Sequence, residues 1–384
     1  MDIQSFSARF NTSARRDAFL SLVKDSKKKN IFIQGLEGSA PALLFSNLLE
    51  NKKPHLIIAN DLDEAGYLYN DLVQINGSDR ILLFPSGYKR DIKYGQPDPP
   101  SEILRTEVLN RLNQKGDSLL VVTYPEALAE KVVPVDTLSD QTLHIDKKSK
   151  YDIVSLADKL RELGFSEVDY VYEPGQFAVR GSILDVFSFT NELPYRIDFF
   201  GKEVESIRTF EVETQLSTER LDEVYIVSNV CGKEASGISM LDFIDKNAIL
   251  VCHNLSWALD RIEAVASESL SEQTLIAEEG DRDAMKKIID PAAFRQKALS
   301  FRRIDYGTSS EAKTPAVMRF DCAPQGVYHK NFDLVSQSFS QFIEKKYTIY
   351  ILSDSEKQIE RLQAIFEERG ESITFTPVLK TLHE

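Results

Sequence analysis

Short apolar runs alternate with amphipathic stretches through the first third of the chain. The apolar runs have the length of buried strands, and the stretches between them carry apolar residues at helical spacing, as Leu68 and Leu72 do. Strand–helix alternation of this kind places helices on the faces of a parallel sheet, so the pattern predicts an α/β domain. The predicted strands are residues 31–33, 55–59, 81–84 and 119–123, and the predicted helices are residues 42–50, 61–72 and 102–112.

A different pattern begins near residue 148. Apolar and polar residues then alternate with a period of two, which is typical of strands with one buried face. Gly201 and Lys202, between two of these segments, fit a two-residue hairpin turn. A short helix precedes them, with Ser155 as its predicted cap and Gly164 at its end, and the whole predicts a small α+β insert with an antiparallel sheet. The alternating segments are residues 177–187, 195–200 and 204–210.

The strand–helix pattern resumes after the insert. The last part of the chain predicts a further α/β segment, which we expect to be cut within a larger protein. The predicted strands are residues 248–252, 347–352 and 373–377, the predicted helices are residues 255–267 and 356–368, and residues 278–287 are helical or loop.

Composition narrows the class of protein. A chain of 384 residues divides into about two to four domains, and 42% hydrophobic with 28% charged residues is the balance of a folded protein. No run of about twenty apolar residues occurs and the start does not resemble a signal peptide, so we expect a cytoplasmic protein. Cysteines and histidines are scattered along the sequence, which predicts no metal site, no cofactor and no disulfide framework.

The charge is strongly negative. There are 46 Lys and Arg residues against 60 Asp and Glu residues, a net charge of −14, and residues 151–230 alone hold 16 acids and 7 bases. Phosphate binding depends on clustered Lys and Arg, so the balance disfavours DNA binding by this chain on its own.

The turn after the first predicted strand resembles a phosphate-binding loop that has lost its chemistry. Such a loop reads G-x-x-x-x-G-K-[ST], and the sequence from Gly35 is GLEGSAPA, with Gly38 as its other glycine. Ala40 stands in place of the second motif glycine, Pro41 in place of the Lys, and Ala42 in place of the Ser or Thr. The residues therefore predict an ordinary strand–turn–helix connection that does not hydrolyse ATP.

Each substitution removes a specific contact. Without Lys no ammonium reaches the phosphates, and without Ser or Thr no hydroxyl ligates Mg²⁺. Pro41 also deletes a backbone N–H donor at the helix N-terminus. Asp63 and Glu64 after the second strand could be taken for Mg²⁺ ligands, but carboxylates in a first helical turn complement the helix dipole, and we favour that interpretation. No catalytic residue is predicted.

Residues 195–200 carry the most informative alternation. Arg196, Asp198 and Phe200 fall on the face opposite the predicted core, and Arg and aromatic residues are those that anchor interfaces. Two interpretations stay open here. Either this face binds a partner, or Phe200 tucks under the hairpin while Arg196 pairs with Asp198 or Glu205.

The sequence of this insert resembles a known family. Residues 174–187 (PGQFAVRGSILDVF), 193–200 (LPYRIDFF) and 203–210 (EVESIRTF) are similar to the second domain of the bacterial transcription-repair coupling factors (Mfd family). The resemblance implies a helicase-like α/β domain of two chain segments, related to UvrB but without its working ATPase. It also implies that the insert binds UvrA, through Arg180, Arg196 and Phe200. For Arg180, a structural salt bridge is the alternative.

The resemblance assigns the segments and the function. We expect an adaptor that recruits UvrA to stalled transcription, with RNA polymerase and DNA bound only through parts of the parent protein outside this chain. The alternatives are a UvrB-like helicase ATPase and a damage-binding DNA module. The second is disfavoured, because the stretch that corresponds to the long Tyr-rich hairpin of UvrB, residues 86–101, is short and holds only Tyr88 and Tyr94 as stacking platforms for DNA. The expected divisions are 1–147 (helicase-like, first part), 148–228 (UvrA-binding insert), 229–318 (helicase-like, second part) and 319–384 (further α/β segment).

Overall fold

The computed structural model describes most of the chain. The residues outside it are 88–97, 115–117, 192, 231–236, 277–286, 330, 370–372 and 384. Tyr88, Tyr94 and most of the predicted segment 278–287 therefore lie outside the described residues.

The part of the chain before the insert forms helices and four strands in alternation. The helices are α1 (Ile3–Phe10), α2 (Ser13–Lys24), α3 (Ala40–Phe45), α4 (Leu62–Asn76), α5 (Pro99–Asn113), α6 (Pro125–Leu128) and α7 (Val135–Asp140), with a 3₁₀ helix at Ser46–Glu50. The strands are β1 (Asn30–Gln34), β2 (His55–Ile58), β3 (Ile81–Phe84) and β4 (Leu120–Thr123).

The insert is built mainly of strands. β5 (Thr142–Asp146) leads into it, and its own elements are α8 (Ile153–Glu162), β6 (Ser166–Glu167), β7 (Gln176–Arg180), β8 (Ile183–Val186), β9 (Tyr195–Phe200), β10 (Glu203–Phe210), β11 (Ser217–Leu221) and β12 (Glu223–Val227). The chain enters through β5 and leaves through β12, and these two strands pair antiparallel with each other. Entry and exit therefore lie side by side.

The remaining described elements return to alternation. They are α9 (Met240–Phe243), β13 (Ile249–Cys252), α10 (Leu255–Ile276), α11 (Pro291–Ser300), β14 (Arg302–Gly307), β15 (Ala316–Arg319), α12 (Phe332–Glu344), β16 (Tyr350–Leu352), α13 (Glu356–Glu368) and β17 (Thr376–Val378).

One parallel sheet combines strands from both sides of the insert. Its order is β15-β1-β14-β13-β2-β4-β3, and every neighbouring pair runs parallel. All residues of β2, β4 and β13 are buried, as expected for central strands covered on both faces. The predicted α/β class is confirmed.

The insert has an antiparallel sheet of its own. Its order is β11-β10-β9-β8-β7-β6, with β7 to β11 antiparallel and β6 parallel to β7. A separate apolar core lies on one face of this sheet, where Leu156 and Leu160 of α8 meet Phe177, Ile197 and Ile207. The predicted antiparallel insert is confirmed too. β16 and β17 form a further, two-stranded parallel sheet near the end of the chain.

Helix caps follow local sequence, with one difference from expectation. In α4, Asp61 accepts a hydrogen bond from the Glu64 N–H and Glu64 accepts one from the Asn60 N–H, a reciprocal cap. In α8 the predicted cap Ser155 is wrong. Asp152 caps that helix instead, accepting from the Val154 N–H, because the helix begins three residues earlier than its apolar spacing indicated.

No helix among the described residues combines the length and apolar character needed to cross a membrane.

Candidate functional site

The face of the inserted sheet that points away from α8 carries the predicted docking residues. Along β9 the side chains alternate between buried and accessible, and Ile197 and Phe199 are buried in the core while Arg196 and Asp198 are half-buried on the other side. Phe200 ends this row with 79% of its surface exposed. We call this side of the sheet the open face.

Strand register places the charged residues of the open face in two rows. Arg180 lies opposite Ile183, which lies opposite Asp198 on the next strand. The second row contains Asp185 and Arg196, which are direct cross-strand partners. Arg180 and Phe200 thus belong to the same end of the sheet, at the two hairpin turns, while Arg196 lies nearer its middle.

A buried carboxylate joins the two predicted arginines. The Asp185 side chain is 1% exposed and accepts from Arg196 Nε at 2.8 Å and from Arg196 Nη2 at 2.9 Å. Arg180 Nη2 donates to the same carboxylate. The hydrogen bond to Asp185 raises the pKa of Arg196 above its ordinary value, so this guanidinium stays charged.

Arg196 is largely satisfied within the chain. Its Nη1 donates to the Gln215 carbonyl at 3.0 Å and its Nη2 to Gln215 Oε1 at 3.2 Å. The guanidinium also lies over the Phe210 ring, 4.3 Å from the centroid. The Arg196 side chain is only 14% exposed, so it is a half-buried support of the open face and less accessible than its alternation indicated.

Arg180 is the more accessible arginine. Its side chain is 34% exposed, and its guanidinium lies 4.9 Å from the centre of the Tyr170 ring, which is itself exposed. Phe200 is accessible as well, so the alternative in which it tucks under the hairpin is wrong. Arg180 and Phe200 are therefore the two predicted residues that a partner could reach most directly.

A second ion pair lies on the same face. Arg208 donates to Asp198, which also accepts from the Ser206 hydroxyl at 3.0 Å. Asp198 is thus paired with Arg208, and neither interpretation of Arg196 that paired it with Asp198 or Glu205 holds.

Residues 35–42, predicted to be a degenerate phosphate loop, connect β1 to α3. Gly35 and Gly38 adopt left-handed φ angles of 80° and 54°. A Cβ at Gly35 would overlap the carbonyl oxygen of Phe320, which follows β15. α3 begins at Ala40 with Pro41 in its first turn, and Ala42 is fully buried.

A cavity of about 440 Å³ lies beside this loop. Two groups of side chains line much of it. The acidic residues are Glu37, Asp61, Asp63, Glu64 and Asp71, and the rings are those of Tyr67, His253, Tyr306 and His383. The lining holds no Lys or Arg among the described residues, so the cavity offers phosphate groups no ammonium or guanidinium group and several repelling carboxylates.

His253 contacts residues at the carboxyl ends of the two strands that flank β13 in the parallel sheet, β2 and β14. It follows β13, and its Nδ1 lies 2.5 Å from Asn60 Nδ2 and 3.4 Å from Glu64 Oε1. Its ring stacks on Tyr306 at the end of β14. The hydrogen bond to Glu64 raises the pKa of His253 above its ordinary value. Glu64 is thus committed to the helix cap and to His253, which agrees with the interpretation that this acid is structural.

A segment from the end of the described chain covers the loop. The His383 ring stacks on Tyr67 with centroids 3.4 Å apart, and the backbone N–H of His383 donates to Asp71 Oδ1 at 2.8 Å. The Ser39 hydroxyl donates to the His383 carbonyl. Part of the space beside the loop is therefore filled by the protein itself. Among the described residues, no cluster of three or more His, Cys, Asp or Glu side chains is placed to hold a metal ion.

Sequence reasoning missed the residues that organise the open face. Asp185 sits in an apolar run and gives no signal in isolation, although the hairpin pattern, followed to its register, would have set it opposite Arg196. Gln215 adopts a left-handed φ of 58°, which no sequence signal indicated. Tyr170 lies outside the alternating segments.

Comparison with known proteins gives this arrangement a class. Residues 143–230 match the model of the UvrB interaction domain family, and they contain the whole open face. The chain thus combines a parallel α/β sheet with an insert that is similar to the UvrB interaction domain.

Similar proteins include transcription-repair-coupling factors of several bacteria. One from Staphylococcus epidermidis is 21% identical over 85% of this chain and 32% of its own length, and one from Staphylococcus aureus is 21% identical over 80% of this chain. One from Bacillus subtilis is 31% identical over 44% of this chain and 14% of its own length. The resemblance to the UvrB-like, N-terminal region of these factors is confirmed, and this chain spans about a third of the length of the Staphylococcus relatives.

Proposed function

We propose that this chain is the UvrA-recruiting adaptor region of a transcription-repair coupling factor. The observation that carries the proposal is the exposure of Phe200 and Arg180 at one end of the open face, inside the segment that matches the UvrB interaction domain. Aromatic rings and guanidinium groups are the side chains that most often anchor interfaces, and here both are accessible on one face of the sheet. Arg196 belongs to the same face as its half-buried support.

The adaptor would link stalled RNA polymerase to nucleotide excision repair. In this proposal RNA polymerase and DNA bind to other parts of the parent protein, which would carry the ATP-driven translocation. The net charge of −14 supports the proposal that DNA binds to those other parts, because a negative surface repels the phosphates of DNA.

The region of the phosphate loop is proposed to be inactive as an ATPase. Ala40, Pro41 and Ala42 supply neither the ammonium nor the hydroxyl of a working loop. The carboxylates that line the cavity beside it, such as Glu37 and Asp61, would repel a triphosphate. These residues weigh against the alternative of a UvrB-like helicase.

Titration of purified UvrA into this chain tests the proposal. Phe200→Ala and Arg180→Ala should each weaken binding by about 1–3 kcal/mol, roughly 5- to 150-fold. Phe200 is exposed, so its removal leaves no cavity and the melting temperature should not change. Tyr347→Ala removes an exposed ring elsewhere, 64% accessible, and is the matched control. Saturable binding of UvrA with the same affinity for wild type and both variants would overturn the placement of the site.

A further inference from the structure

Asp185 holds an unusual position for a carboxylate. It lies on the central part of the open face, on β8 between β7 and β9, and is almost inaccessible to solvent. A buried charge is costly unless it is paired and hydrogen-bonded. Both partners of Asp185 are arginines that were predicted to contact UvrA, Arg180 and Arg196.

The two arginines share the carboxylate unequally. Arg196 contacts it through two nitrogens and spends two further hydrogen bonds on Gln215, so its guanidinium is fixed by the chain. Arg180 contacts Asp185 through Nη2 while a third of its side chain stays exposed. Arg180 is thus tethered at one end and open to a partner.

Tyr170 also restricts the rotation of the Arg180 side chain. Its ring centre lies 4.9 Å from the Arg180 guanidinium carbon, within the range of a cation–π contact. A free Arg side chain samples many rotamers and loses that freedom when it binds. A guanidinium held by a carboxylate and a ring has lost much of it before binding, which favours association.

We infer that Asp185 is a positioning residue for the UvrA-docking face, acting through Arg180; the inference rests on the proposed function. Asp185 does not touch UvrA. Its carboxylate fixes the position of the Arg196 guanidinium next to it. The same carboxylate holds the Arg180 guanidinium in the orientation in which the partner binds it.

A purely structural role is the competing explanation. In that case loss of the carboxylate would lower stability and affinity alike, whether or not Arg180 is present. A simple charge effect is a third explanation, since loss of one negative charge makes the face more positive. Asp198 provides the matched control for charge, because it lies on the same face and pairs with Arg208.

The test compares Asp185→Asn in two backgrounds, wild type and Arg180→Ala, by titration with UvrA at a temperature where every variant is folded. In wild type, Asp185→Asn should weaken binding by roughly tenfold, and in Arg180→Ala by less than about twofold, because coupled residues are not additive. Asp198→Asn should change binding by less than about twofold in both backgrounds. Melting curves measure the stability cost separately.

The outcomes separate the explanations. An equal loss in both backgrounds, or no loss in the folded wild-type background, overturns the inference while leaving the proposed function in place. Absence of binding by the wild-type chain overturns the proposed function itself. If Asp185→Asn does not fold, Asp185→Glu in the same two backgrounds decides, because it keeps the carboxylate and displaces the guanidinium; a loss of affinity that needs Arg180 supports the positioning role, and any other result contradicts it.

Discussion

Charged side chains cluster both at the carboxyl ends of the parallel strands and on the open face of the insert, but their pairing differs between the two regions. Around the phosphate loop the carboxylates line a cavity with no Lys or Arg among the described residues, and His383 fills part of it. On the open face a buried carboxylate, Asp185, orders two guanidinium groups. The first region presents mainly carboxylates to its cavity, and the second presents an accessible guanidinium, that of Arg180, whose position a buried carboxylate fixes.

Gly35 has a packing role in this loop that does not depend on a ligand. Gly35 keeps a left-handed φ and packs against the Phe320 carbonyl, so it serves the attachment of β15 to β1 whether or not phosphate binds. A motif glycine therefore says little about present chemistry until the residues that touch the ligand are also found.

The largest expected effect concerns this glycine. Gly35→Ala should lower the free energy of unfolding by roughly 3–5 kcal/mol, because it combines a left-handed φ with overlap on a backbone oxygen that cannot move freely. Gly164→Ala, just after α8, is the control, with φ of 87° and no atom near the new Cβ, and should cost only about 1 kcal/mol. Urea denaturation measures both. Equal losses would show that packing on β15 does not constrain the loop.

Arg196→Ala should have the next largest effect. The substitution removes two hydrogen bonds from the buried Asp185 and leaves its charge with Arg180 alone, so unfolding free energy should fall by roughly 2–4 kcal/mol. UvrA affinity should fall too. A variant that melts like wild type would show that Arg196 is not the support described here, and that it acts at the surface.

A buried histidine supplies the smallest effect and extends the comparison to pH. His55 on β2 is 1% exposed, and burial lowers its pKa to about 3. Its folded pKa lies below its unfolded value of about 6.5, so its contribution is complete above that pH and is lost as pH falls from there towards 3. Wild type should lose about 1.4 kcal/mol more than His55→Leu between about pH 7.5 and about pH 5.5. Parallel slopes for the two proteins in urea denaturation would contradict the assignment.

The spacing of apolar residues predicted much of the fold. It did not predict which residues lie opposite each other on neighbouring strands. The buried strands and the hairpin at Gly201 follow from apolar spacing and turn chemistry, which are local. Exposure of Phe200 also follows from alternation along β9. The partner of Arg196 does not, because Asp185 comes opposite it only through the pairing of β8 with β9.

Contacts between distant parts of the chain lay further out of reach. Ser39 and His383 meet across 344 positions of sequence, and no local pattern connects them. The cap of α8 was missed for a smaller reason, since both Asp152 and Ser155 are capping residues and spacing alone does not choose between them.

The central proposal is that this chain binds UvrA through the insert and does not bind ATP at residues 35–42, and one pair of titrations tests it most directly. UvrA and ATP are titrated separately into the same preparation of this chain. We expect saturable UvrA binding that Phe200→Ala weakens, and no saturable ATP binding below about millimolar concentration, because the loop lacks its Lys and its hydroxyl. Sub-millimolar ATP binding that maps to residues 35–42, or UvrA binding that is absent, would contradict the account.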